Sequence, residues 1–455
     1  MTITEPSVAK PGGGTGRTTA CVIGAGAAGL AAGKALIDRG LDIDWFEKGS
    51  FVGGLWQIDN DNDGAAAYES LHTNSSRPLT QYPSFPMPAD WPDYPSHELM
   101  ATYFESYADA FGLWEHIRFN TPVTRVQRIP AGWAVTAGGV TREYDHVVVA
   151  NGHHSAPKSP TVPGQYTGRI MHSHEYRSTE VFRGRRVLVV GVGNSGMDIA
   201  CDASRNAETT YLSTRHGVHV LPKYALGRPI DQLSSPLTAY LPFELERALY
   251  EGIVRIAVGR VTDRGLPAPD HRLLSAHPTV SAELLDRLGH GEITMKPDLT
   301  RLDGTVASFT DGSDAEVDLV VLATGYRIEF PFLDPSLLDP SDNVLRLYQR
   351  VVPPHLPGLW FVGFIQTVGS GIALFEHQSE WVADLIAGRC LLPDEVQMER
   401  WLRADEQALA KRYLRSTRHT IQVDYWRYIR AIRSERSRTA AAAGVVGRLR
   451  SLLPV

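Results

Sequence analysis

Apolar and polar positions follow one cadence that occurs twice along the chain. The first instance begins at residues 18–23 (TTACVI), whose β-branched and apolar side chains have the profile of a buried parallel strand. It runs into the glycine-rich turn GAGAAG, an alanine-rich helical stretch ending near Gly40, and a second apolar run, LDIDWFE. The second instance begins at RRVLVV, passes through GVGNSG into MDIACDASR, and returns in TTYLSTRH. Each predicts strand, turn, helix and strand, the repeating unit of a parallel sheet.

Two further segments share a plainer design. YDHVVVANGHHSAP (144–157) and DLVVLATGYR (318–327) each place an acid, an apolar run and a small turn ending in glycine. They predict buried strands whose exits pass close to a cofactor or cross between domains, with the crossings over 145–165 and about 295–325. LWFVGFIQTVGSGIALFEHQSEWVADLIAGR predicts strand, glycine turn and helix. Residues 218–292 predict a proline-broken loop followed by helix.

At 455 residues the chain is long for one compact unit. The expected class is α/β, with two Rossmann-like dinucleotide-binding domains, the second inserted in the first. The first is expected over 18–160 and 300–430, and the second over 161–299 with a helical insertion at 218–292. A flexible leader at 1–17 and a C-terminal tail at 431–455, read as a terminal helix in preference to a membrane-surface anchor, complete the division. The net charge of −6 argues against a general nucleic-acid binder. Cys21, Cys201 and Cys390 form no CxxC pair, which suits a reducing cytoplasm and argues against a disulfide framework or zinc site. No stretch approaches the roughly 20 apolar residues that span a bilayer.

The two glycine loops carry the chemistry. Gly24 permits the tight turn, Gly26 lets a pyrophosphate approach the backbone, and Gly29 allows close helix packing. Glu47, 23 residues after Gly24, is placed to accept hydrogen bonds from ribose hydroxyls and to repel a 2′-phosphate. The second loop, Gly191, Gly193, Asn194, Ser195 and Gly196, has no such acid. The same count lands on Thr214, flanked by Ser213 and Arg215, a hydroxyl and a guanidinium suited to a 2′-phosphate. A lone arginine there also reads as an ordinary surface charge. The economical pairing is FAD on the first loop and NADPH on the second, with hydride passing between them.

Between these loops lies YTGRIMHSHEY (166–176). It resembles the FxGxxxHxxxY fingerprint of the flavin-containing monooxygenases (class B flavoprotein monooxygenases), with Tyr166 in the Phe position and Gly168, His172 and Tyr176 matching. FEKGSFVGGLW (46–56), YESLHTNSSRPLTQYPSFPMP (68–88), STRHG (213–217), DLVVLATGY (318–326), GLWFVGF (358–364) and HTIQVDY (419–425) are similar to family segments in the same order. The resemblance implies a soluble, bacterial-type member that uses a C4a-hydroperoxyflavin to insert one oxygen atom into an amine, a sulfide or an indole carbon. It implies that Asn74 lies beside the flavin C4a and that Val123 and Gln366 contact FAD. Gly54, Leu55 and Trp56 are expected at the flavin as well, with core packing a competing role for Leu55 and Trp56. Arg77 is expected as support in the same loop as Asn74.

The helix after Gln366 is expected either to face the flavin with its N-terminus or simply to pack. His172 is expected to bond backbone and fix an interdomain linker bent at Gly168. The adjacent His153 and His154 are expected to project apart and bind no metal. The partners implied are a small-molecule substrate and O2, with a homodimer kept open. Baeyer–Villiger oxidation of ketones is the alternative reaction, set back because relatives that perform it usually end the fingerprint in tryptophan. A disulfide reductase lacks its cysteine pair here, and a nucleotide-sensing protein is the non-enzymatic rival.

Overall fold

The computed structural model describes residues 19–413 and 420–451. The leader at 1–17 and His419 of the HTIQVDY segment lie outside the described residues. Two five-stranded sheets, each parallel throughout, organise the chain. The first has the order Leu359–Phe361, His146–Val149, Thr19–Ile23, Asp42–Phe46, Ile117–Arg118. The second has the order Arg169–His172, Leu319–Leu322, Arg186–Val190, Thr209–Ser213, Thr294–Lys296.

The two sheets are covered alike. Alternate residues of a strand point to opposite faces, so an apolar strand needs cover on both. Val22 and Val148 pack with Leu30, Leu374 and Trp381 from the helices Ala27–Asp38 and Ile372–Ile386. Cys21, Ile23, Val147 and Val149 face the other way, onto Val126, Trp133 and Val135 of an antiparallel sheet over 123–144. In the second unit Val187, Val189 and Val321 meet Met197 and Ala200 of the helix Asn194–Asn206. Leu188, Val320 and Leu322 meet Leu302, Ala307 and Phe309 of a second antiparallel sheet, over 299–316.

This arrangement moves one expected boundary. The strand Leu319–Leu322 pairs with Arg186–Val190, so the division drawn at residue 299 falls inside the second unit, which continues to Leu322. The two crossings pair with each other as an antiparallel ribbon, Ala156–Pro157 against Tyr326–Arg327. The fingerprint is not a bent linker. Its residues Arg169–His172 form one edge strand of the second sheet. Gly168 serves close approach rather than bending: a Cβ there would meet the Tyr166 hydroxyl at 2.4 Å and the Asp318 carbonyl at 2.7 Å.

Residues 218–292 are less helical than expected. They hold one long helix, Phe243–Val258, a short one, Leu284–Gly289, and small strand pairs. The tail boundary at 431 falls inside the helix Tyr425–Ser451. That helix packs through buried Ile429, Ile432 and Thr439 and through the Arg436–Asp384 ion pair. Among the described residues no helix is long and apolar enough to cross a membrane.

Candidate active site

Both glycine loops are built by the same contacts. The Gly24 amide donates to the Phe46 carbonyl (2.8 Å), and the Gly191 amide donates to that of Ser213 (2.9 Å). Gly24 has φ +102° and Gly191 φ +113°, a region that disfavours side chains. A Cβ on Gly29 would lie 1.9 Å from the Gly24 carbonyl oxygen, and one on Gly196 would lie 2.0 Å from that of Gly191. The glycines therefore let each helix start directly on its loop. A Cβ on Gly26 would lie 3.6 Å from the Gly54 Cα, and one on Gly54 3.1 Å from the Gly26 Cα, so the first loop and the GGLW turn approach backbone to backbone.

The two helices begin at Gly26 and Gly193 with no side-chain cap and no acid in the first turn. Their leading amides and positive dipole ends are left to an anion. One cavity of about 1220 Å³ runs past both loops. Of the expected positions, Gly24, Gly26, Gly54, Leu55, Trp56, Asn74, Val123 and Gln366 line it on one side. Gly191, Gly193, Asn194, Ser195, Gly196, Ser213 and Arg215 line it on the other. Gly29 is not in the wall; its role is packing.

Glu47 is buried at the end of its strand and held on three sides. Its carboxylate accepts from the amides of Ala25 (2.6 Å) and Gly49 (2.9 Å) and from the Asn62 side chain (3.0 Å). Charge-assisted bonds of this kind fix a carboxylate firmly while leaving lone pairs for a diol. The matching end of the second unit differs. Ser213 is fully buried and donates its hydroxyl to the Pro297 carbonyl (2.6 Å), so it has no hydrogen left for a phosphate. Arg215 is exposed on the cavity wall with no hydrogen bond or ion pair among the described residues. The guanidinium, without the serine, is the group that fits an anion. Asn194 accepts from the Val280 amide (2.9 Å), which ties the loop to the 218–292 segment.

Asn74 is half-buried in the wall, and its amide makes no hydrogen bond to described residues. Arg77, by contrast, turns away and donates to the Pro88 carbonyl (2.7 Å). Leu55 lines the cavity, and Trp56 both lines it and packs against the core. Gln366 opens a short strand paired with Gln422–Val423. Beyond it Gly369, Ser370 and Gly371 bring the N-terminus of the helix Ile372–Ile386 to the cavity. His153 and His154 do not project apart: their ring centroids are 4.2 Å from each other. Among the described residues no cluster of His, Cys, Asp or Glu could hold a metal ion.

His172 caps the turn that follows its strand. Its Nδ1 accepts from the His174 amide (3.0 Å), while its own amide donates to Glu175 (2.9 Å). Tyr176 is buried, stacks on Phe182 and donates to Asp202 (2.9 Å). Asp202 also accepts from Ser70 (2.5 Å), and Asp198, one turn earlier, accepts from Tyr68 (2.8 Å). Burial pushes the Asp198 carboxyl up to about 6. The fingerprint and the Asn74 loop thus meet on one helix face. Asp198 and Asp202 went unread in the sequence, although acids four apart in MDIACDASR stack on one face of a helix.

Paired glycine loops opening on a common cavity define a protein that brings two nucleotide-type ligands together. The chain belongs to the flavin-binding monooxygenase-like family, whose model matches residues 17–439. It is 34% identical over 426 residues to rabbit (Oryctolagus cuniculus) flavin-containing monooxygenase 5, covering 89% of this chain and 80% of the relative. Rat (Rattus norvegicus) dimethylaniline monooxygenase (N-oxide-forming) 2 is 34% identical over 431 residues, covering 90% and 80%. These relatives are mammalian, and the expectation of a bacterial-type member is not borne out. In fold the chain is similar to S-allyl-L-cysteine S-oxygenase from Allium sativum, with TM-score 0.69 and 24% identity over 95% of this chain and 94% of that one. It is also similar to closed cyclohexanone monooxygenase, with TM-score 0.72 and 18% identity over 94% and 98%.

Proposed function

We propose that the chain is an NADPH- and O2-dependent monooxygenase of two Rossmann-like units, with FAD on the Glu47 side and NADPH on the Arg215 side. One oxygen atom goes to a soft nucleophile: an amine nitrogen, a sulfide sulfur or an indole carbon. The observation that carries this reading is the cavity shared by both loops, with the Asn74 amide, unpartnered among the described residues, in its wall. FAD fits the first loop because the Gly26–Gly54 approach admits a pyrophosphate and the Glu47 carboxylate faces a diol. NADPH fits the second because Arg215 offers a guanidinium without a partner among the described residues where the first unit has an acid.

The flavin, when bound, supplies oxygen activation; the chain supplies position, shielding and a hydrogen-bond partner. Asn74 can donate from its NH2 group and accept at its carbonyl oxygen, so it can steady a reacting oxygen or a nicotinamide amide. The helix at Gly371 has no acid in its first turn and would favour negative charge on the ligand it faces. Ketone oxidation could use the same cavity. The N- and S-oxygenating reading is preferred because relatives at 34% identity include a dimethylaniline N-oxide-forming enzyme. Three buried free cysteines support a reducing cytoplasm, and a homodimer stays part of the proposal, to be tested by light scattering.

Purified protein should be yellow and should oxidise NADPH with O2 uptake that rises on adding substrate. A panel of trimethylamine, a thioether, indole and a cyclic ketone then assigns the product. A colourless protein, or one whose NADPH use ignores all four, would sink the reading.

A further inference from the structure

Asn74 sits on a loop that is gripped from both sides by the other unit. On the near side Tyr68 donates to Asp198 (2.8 Å), the Glu69 amide to the Arg177 carbonyl (2.9 Å) and Ser70 to Asp202 (2.5 Å). On the far side the Ser76 amide donates to Asp231 (2.6 Å), a residue of the 218–292 segment. Ser76 begins the short helix Arg77–Thr80, whose start has no side-chain cap of its own. The Asp231 carboxylate therefore takes an amide that the loop cannot satisfy locally. Asn74 lies between these anchors, four residues after Ser70 and two before Ser76.

We propose that Asp202 and Asp231 are positioning residues for Asn74: carboxylates of the second unit that hold its loop on either side and fix the amide in the cavity. The grip is specific in its geometry. A segment pinned at Ser70 and Ser76 has few backbone torsions left, so displacement of the second unit moves Asn74 with it. Asp202 accepts from both Ser70 and Tyr176, so the end of the fingerprint and the Asn74 loop share one carboxylate oxygen. Asp231 gives the 218–292 segment a direct bond to the loop, beside the packing of Tyr94 hydroxyl onto the Lys223 carbonyl. This inference rests on the functional reading above, in which Asn74 acts at the reacting oxygen.

Four forms of the full chain test it: wild type, Asp231→Ala, Asp231→Asn and Ser70→Ala. Hydrogen exchange on the purified proteins reads the anchor directly. In Asp231→Ala the Ser76 amide should exchange about tenfold faster or more, the scale of one lost bond to a charged group. Asp231→Asn keeps an acceptor oxygen and should restore protection. With NADPH and a thioether, product formed per NADPH should fall severalfold in Asp231→Ala and Ser70→Ala and recover in Asp231→Asn. Anaerobic flavin bleaching by NADPH should stay within about twofold of wild type, since neither residue lines the shared cavity. A wild type without flavin or NADPH oxidation would overturn the functional reading. A well-coupled wild type with equally coupled Asp231→Ala and Ser70→Ala would overturn this proposal alone, as would bleaching that slows while coupling holds.

Discussion

The two units make the same turn with the same hydrogen bonds, yet they end their second strands in opposite ways. Loop amide to strand carbonyl, glycine against carbonyl oxygen, uncapped helix over the cavity: each contact of the first recurs in the second within tenths of an ångström. At the strand ends the first places a caged carboxylate, and the second a buried serine with an exposed arginine beyond it. In the proposed reading, backbone geometry sets where a pyrophosphate lies, and one side chain sets which ribose accompanies it. A second contrast follows from the edges. The first sheet takes one edge strand from late in the chain, at Leu359–Phe361, and the second takes the matching edge from the fingerprint at Arg169–His172.

The strongest way to break the symmetry is to close one loop at a time. Gly29→Ala puts a methyl 1.9 Å from a backbone oxygen, and Gly196→Ala puts one at 2.0 Å, clashes that no side-chain motion relieves. Overpacking of this kind costs about 1–3 kcal/mol or more, concentrated on the loop itself. Gly29→Ala should purify almost without flavin by absorbance at saturation. Gly196→Ala should stay yellow but be bleached by NADPH at a rate reduced by two orders of magnitude or so, as an order-of-magnitude expectation from losing the phosphate cradle. Equal flavin loss in both would show that the loops do not divide the ligands.

Arg215 probes the strand ends. Arg215→Ala removes the cation expected at the 2′-phosphate, whose charge-assisted bonds are worth about 1.5–3 kcal/mol. KM for NADPH should rise about tenfold to a hundredfold while KM for NADH barely changes. A parallel rise for both coenzymes would place the arginine elsewhere on the ligand. Ser213→Ala should affect coupling to NADPH far less, because its hydroxyl already serves Pro297.

How far the chain could be read in advance follows the same division. Loops and flanking strands were legible because periodicity two, a glycine at each required step and a following helix all agree locally. The place of Glu47 at the end of the second strand, against the loop, was legible from its count after Gly24. What resisted was the pairing of distant segments. Nothing near Leu319 says that it lies beside Val187, and the boundary at 299 was misplaced for that reason. The role of Gly168 was also hidden, since a close approach and a bend both favour glycine, and only Asp318 across the sheet decides between them. Ser213 looked like a phosphate ligand until Pro297 appeared beside it.

The helix face bearing Asp198 and Asp202 offers a pH test confined to the second unit. Asp198 is raised to about 6 by burial, despite the Tyr68 bond that favours its charge. The folded protein therefore holds that proton more tightly than the unfolded chain, whose aspartate titrates near about 3.9. Between those values the native state binds more protons, so this group's contribution is fully present at the acid end and is lost as pH rises through about 6. Chemical denaturation of wild type and Asp198→Asn across this window should diverge by up to about 1.4 kcal/mol per pH unit, wild type losing ground as pH rises. Identical pH profiles for wild type and Asp198→Asn would contradict a protonated Asp198.

The mildest change separates the fingerprint's packing from its hydrogen bond. Tyr176→Phe keeps the ring, its 5.2 Å stack on Phe182 and its 5.4 Å contact with Tyr68, and removes only the hydroxyl that donates to Asp202. Ser70 and Arg205 remain as partners of that carboxylate, so it is not stranded. The stability cost should then be about 1 kcal/mol, the scale of one hydrogen bond whose acceptor keeps others, read from the denaturation midpoint at unchanged slope. Flavin content should be unaffected, because the bond lies on the second unit's helix and not on the first loop. Ser70→Ala combined with Tyr176→Phe should cost more than the two singles added, since the pair leaves Asp202 with Arg205 alone. Strict additivity would mean that the fingerprint and the Asn74 loop do not share the carboxylate, and that the two units touch there without acting on each other.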